Sequence, residues 1–166
     1  MNTKNRLKVA IAALLILGMT TSNAMAASEI GTADVRIAER ITIDKKDDLS
    51  FGGMLQSGSG GTITVSAEDG TLTSSGVQTL TPSTGSRGRF FVNGQQNRTY
   101  NTTLDSTVTL IGPPTSNSMT ASLTSDNNGV FGIFGFDNVF IGGTLDVGVD
   151  QAPGLYTGTF NIAVDF

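Results

Sequence analysis

The chain has 166 residues, 10 of them basic and 14 acidic, a net charge of −4, and no cysteine, histidine or tryptophan. Without histidine there is no Ser-His-Asp arrangement to build, and the commonest general base and transition-metal ligand are both missing. The acidic balance excludes a basic nucleic-acid footprint, and the lack of cysteine leaves stability to strand pairing and apolar burial.

Residues 1–26 read as an export signal. Lys4, Arg6 and Lys8 form a basic start, Val9 to Leu17 is an apolar run too short for a stable membrane anchor, and Ala24-Met25-Ala26 has the small-x-small form of a cleavage site. Cleavage after Ala26 would leave 140 residues, enough for one domain, with seven basic against fourteen acidic side chains and a net charge of −7. No later segment approaches the ~18 apolar residues of a transmembrane helix, so no membrane span is expected in the exported chain.

Next comes an alternating segment. Ala33, Val35, Ile37, Ile41 and Ile43 occupy odd positions, with Asp34, Arg36, Arg40 and Asp44 between them and Glu39 as the one charge on the apolar side. From Gly31 to Ile43 this would extend to about 43 Å, roughly twice the usual ~17–20 Å strand. Two descriptions fit: two halves divided near Glu39, with Ile41 and Ile43 leading through Leu49 to Phe51 as the domain's own first strand, or one long strand with a bulge or a crossover between sheets. The first gives an extension over residues 27–38 and a domain over residues 39–166.

Short Thr-, Val-, Ile- and Phe-rich segments then recur between Gly, Pro, Asn and Asp. They are Thr62 to Ser66, Thr71 to Thr73, Val77 to Leu80, Arg89 to Val92, Thr99 to Leu104, Thr107 to Ile111 and Met119 to Thr124, with tight-turn sequences at Asn93-Gly94 and Asp126 to Gly129. Val139, Ile141, Leu145, Val147 and Val149 share one parity. After the turn residues Gln151 to Gly154, so do Tyr156, Gly158, Phe160, Ile162, Val164 and Phe166. These last two runs are expected to form a β-hairpin, and the partner of its outer edge becomes the functional question. No segment after Ala27 holds a helical period, so the fold class is all-β, a sandwich.

Possible sites have plainer explanations. Asp44, Asp47 and Asp48 around Lys45-Lys46 read as a solvated turn rather than a carboxylate pair or calcium site. Asp126 to Gly129 lacks the spaced acids and distal glutamate of a calcium loop. Phe131, Phe134, Phe136 and Phe140, interleaved with glycines, read as core packing, with an exposed patch for a neighbouring subunit or host ligand as the alternative. No catalytic, cofactor-binding or metal-ligating residue is assigned, and no cofactor is expected.

From Ile141 to Phe166 the chain resembles the bacterial exported family called domain of unknown function 4402. The similarity continues through Arg89 to Gly94 with Tyr100 to Leu104, Gly61 to Val65, and Asp48 to Gly52. That family is similar to pilin-like subunits handled by a periplasmic chaperone and an outer-membrane usher. The resemblance therefore implies an incomplete immunoglobulin-like β-sandwich completed by a strand donated from another copy. It also implies a homopolymer at the cell surface, a fimbrium, reached through the periplasm. In those terms Ala33, Val35 and Ile37 are the donor residues, and Tyr156, Gly158, Phe160, Ile162, Val164 and Phe166 border the acceptor groove. The rival expectation is a self-contained secreted sandwich that binds a carbohydrate or a surface protein.

Overall fold

The computed structural model describes residues 28–82, 85–114, 117–126 and 129–166. The expected leader lies outside the described residues, as do the two central positions of the Asp126 to Gly129 turn. Two compact units divide the chain, Met1–Arg36 and Ile37–Phe166. In the first, residues 28–36 form neither helix nor strand, and every one of them is exposed.

The second unit is all-β; among the described residues no helix occurs, and none is therefore long and apolar enough to cross a membrane. Its strands are β1 (Thr42–Asp47), β2 (Gly61–Val65), β3 (Leu72–Ser75), β4 (Gly88–Asn93), β5 (Asn101–Leu104), β6 (Thr107–Gly112), β7 (Asn117–Ser125), β8 (Phe136–Val147) and β9 (Ile162–Asp165). All pairings are antiparallel. The Val77 to Leu80 segment contributes only a bridge from Thr79 to Met54. The Asp44 to Asp48 charges sit mostly on β1 rather than in a turn, where Lys45 pairs with Asp48 at 2.6 Å and Arg89 with Asp47 at 2.7 Å.

The twelve-residue β8 is the central strand. It pairs with β4 over Phe136 to Ile141, with β2 over Gly143 to Val147, and with β7 over Ile141 to Asp146. Its odd residues Val139, Ile141, Leu145 and Val147 are all buried, so the alternation seen in the sequence is real, although Val149 beyond the strand is exposed. Gly142 lies where β4 hands over to β2, and a Cβ there would collide with the Val65 carbonyl oxygen. The glycine lets the two backbones close on each other at the handover.

Because its edges are occupied by β4, β2 and β7, β8 does not form the expected hairpin with the C-terminal segment. Residues 148–155 instead carry the chain across the sandwich, and β9 pairs with β5. The expected single strand from Tyr156 to Phe166 is also shortened, to an isolated bridge between Thr157 and Ile111 and then β9.

Two cores result. Beneath β1, β4 and the first half of β8, Phe90, Val92, Val139 and Ile141 meet Tyr100, Phe131, Leu104, Ile162 and Val164, the last three from the β5–β9 layer. Beneath β2, β7 and the second half of β8, Ile63, Val65, Met119, Ala121, Leu123, Leu145 and Val147 meet Phe51, Val77, Met54, Tyr156 and Phe160. Leu49, Leu104 and Phe160 touch both.

Candidate functional site

The two cores are covered differently. The first has a two-stranded sheet over it, whereas residues 48–60 and 148–161, which flank the second, contain no named strand. Between these two segments lies a groove of about 650 Å³. Its floor is Val108, Leu110, Met119, Leu145 and Val147; one wall runs from Asp48 to Ser57 and the other from Gln151 to Phe160.

Each wall is held from its outer side. Ser50 exchanges backbone hydrogen bonds with Ser86, both 2.8 Å; Leu55 N–H donates to Gln78 O, and Leu80 N–H to Gly53 O. On the opposite wall Thr157 exchanges backbone bonds with Ile111 at 2.8 and 3.0 Å. In extended chain successive residues present their N–H and C=O groups to opposite edges. The groups of Met54, Tyr156 and Gly158 therefore turn toward the groove, and none of the three enters a backbone hydrogen bond among the described residues. At one end the walls meet, where Asp150 N–H donates to Ser57 O at 3.0 Å.

Glycines set this geometry. A Cβ at Gly112 would run into the Tyr156 ring, and one at Gly158 into the Thr109 carbonyl oxygen, so both allow the C-terminal wall to lie directly on β6. The Tyr156 hydroxyl donates to Ala152 O and accepts from Gln151 Nε2, each at 2.8 Å, which fixes the ring against the loop that precedes it.

Of the expected groove-edge residues, Tyr156, Gly158 and Phe160 line the groove. Ile162 and Val164 turn instead toward the first core, and Phe166 packs edge-on against Phe131 with the Arg98 guanidinium 4.1 Å from its ring centre. Sequence reading missed the other wall, Gly52 to Ser57, which looks like an ordinary loop because it opens on Gly52-Gly53 and runs into the Ser/Gly stretch Ser57 to Gly61; Met54 and Leu55 were the available signal. Of the expected donor residues, Val35 is 87% exposed and Ile37 90%. Ala33 is exposed as well.

The groove is lined mainly by apolar side chains and backbone. Its ionisable linings are Asp48 and the Tyr156 phenol, and among the described residues no cluster of three potential metal ligands exists. Among the described residues the two clearly perturbed groups lie elsewhere and have structural causes. Burial, helped by the 2.8 Å hydrogen bond that its hydroxyl donates to Asp137, raises the Tyr100 phenol above its ordinary value. The Thr71 backbone N–H is the main cause that lowers exposed Asp69 from 3.8 to about 2.

The phenylalanine run divides. Phe131 is buried in the first core, whereas Phe134 and Phe136 are exposed, so core packing explains only part of it.

The family model described as "Domain of unknown function (DUF4402)" matches residues 41–166, and the chain belongs to that family. No curated protein and no solved structure matches the chain.

Proposed function

With membership of that family as the premise, we propose that this protein is a structural subunit of a surface fimbria-like homopolymer. In it the segment Gly31 to Ile37 of one copy fills the groove of the next. The observation that carries this is the groove itself: an apolar floor between two walls that each offer unpaired backbone groups. An incoming extended chain takes both. Ala33, Val35 and Ile37 alternate as such a chain requires, with Asp34 and Arg36 left on the solvent side.

Burial of Val35 and Ile37 supplies roughly 3–6 kcal/mol together. That only matches the lower estimates of the cost of association, so the backbone ladder along both walls is needed too. The family match begins at Ile41, immediately before β1, which leaves residues 31–37 outside the matched domain and available to a neighbour. Export through the periplasm, with a chaperone that covers the groove and an usher that releases it, belongs to the same proposal.

Electrophoresis in SDS with and without boiling tests it, on protein from its native cell surface and on a variant that lacks residues 27–38. Multimers that collapse on boiling and disappear in the truncated variant support strand donation. A single monomer band under both conditions, with an equally well-folded truncated variant, rejects it.

A further inference from the structure

The outer face of β1, β4 and β8 carries a feature that strand donation does not use. Phe90 and Val92 point into the core, so Arg89, Phe91 and Asn93 point outward, and the cross-strand register completes three rows. Thr42, Asn93 and Phe136 form one; Asp44, Phe91 and Asn138 the next; Arg89 stands beside Phe140 in the third. Aromatic and polar side chains therefore alternate over the face.

Phe134 extends this pattern beyond the strand. The turn that carries it is closed by Gly135 N–H donating to Gly132 O at 3.0 Å and Gly132 N–H to Phe136 O at 3.2 Å. Gly135 has φ +75, and a Cβ there would come within 2.5 Å of the Gly94 carbonyl oxygen. Glycine is required on both counts. The Phe134 ring thereby stacks on Phe136 at 6.0 Å and 15°, and Phe136 lies 5.4 Å from Phe91. Phe134 is 76% exposed and Phe136 42%.

We propose that the Phe91–Phe136–Phe134 platform binds a neutral glycan, with the apolar face of a pyranose on the rings and its hydroxyls on Asn93, Asn138 and Asp44. Charge decides against the other ligand classes. Although the chain is acidic overall, the charges on this face balance: Arg89 pairs with Asp47 at 2.7 Å, and Lys46, its ammonium 5.7 Å from the Phe91 ring centre, offsets the single carboxylate Asp44 on the same strand. The face is thus close to neutral and complements an uncharged, polyhydroxylated partner. The core of a protein interface is depleted in charge, whereas here every strand ring has a polar cross-strand neighbour. The platform lies on β1, β4 and β8, away from the residues that line the groove, and stands independently of strand donation.

Affinity electrophoresis of the mature full chain through gels that contain mannan, dextran or xylan, beside alginate and with sedimentation on cellulose and chitin, tests this. Binding to at least one neutral polysaccharide is expected, little changed by added salt. Phe134→Ala and Phe136→Ala should each weaken it roughly two- to tenfold, and Phe134→Ala, whose ring is 76% exposed, should do so with melting nearly unchanged. Binding to none of these polymers, binding to alginate alone, or equal binding by the variants would overturn the assignment. Concentration-dependent self-association of the chain that Phe134→Ala abolishes would overturn it too, in favour of a second copy on this face.

Discussion

Strand donation makes a parity prediction within seven residues. Ile37 is 90% exposed, so its insertion into a neighbour's groove realises nearly the full transfer free energy of an isoleucine, about 1.5–3 kcal/mol. Ile37→Asp removes that term and adds the desolvation of a carboxylate, so each junction should weaken by at least a factor of roughly 10 to 150. Arg36→Asp changes charge by a larger amount one residue away, yet Arg36 lies on the opposite parity and should leave junctions nearly intact. Both variants, with wild type, are compared as mature chains by unboiled SDS electrophoresis and by size-exclusion chromatography. Short oligomers for Ile37→Asp beside a wild-type ladder for Arg36→Asp are expected. Equal ladders from all three, or equal disruption by both substitutions, would refute the alternation on which donation depends.

Four further outcomes follow from the domain itself. Gly142→Ala should lower stability by about 1–3 kcal/mol in urea unfolding, because the methyl group displaces the Val65 backbone where β8 changes partner. Tyr100→Phe should lower it by about 0.5–1.5 kcal/mol through loss of the Asp137 hydrogen bond. In the wild type, the unfolded chain releases the Tyr100 proton first, so stability should fall as pH rises past about 10; ultraviolet titration should show one of the two tyrosines ionising later than the other. Asp69 has the opposite sign: its lowered value of about 2 gives a contribution present above about 3.8 and lost as pH falls through about 2. A carboxyl NMR midpoint at 3.8 would contradict the Thr71 hydrogen bond.

Local order was legible in the sequence, and long-range pairing was not. Period-two alternation located β2, β4, β6, β7 and β8 to within a few residues and put Val139 through Val147 on one buried face. It cannot state which strand lies beside which, since any apolar face satisfies the pattern equally. The supposed hairpin across Gln151 to Gly154 failed for this reason: β4, β2 and β7, all distant in sequence from that turn, already occupied β8. The groove was half visible. Tyr156, Gly158 and Phe160 announced one wall by alternation, but Gly52 to Ser57 forms the other while reading as a loop. The phenylalanine run misled in the other direction, because glycines that look like core spacers are the residues that turn Phe134 outward.

The position of β8 also bears on time. β4, the β2–β3 hairpin and the β6–β7 hairpin share no partner except β8, whose last residue is Val147. Until those residues are available, the β1–β4 pair and the two hairpins have nothing to join them, and both cores stay open to water. Loop closure over such separations is slow compared with local hairpin formation. The chain therefore completes its sheet late and almost all at once, and its longest-lived vulnerable species is one with most of its sequence present and no centre.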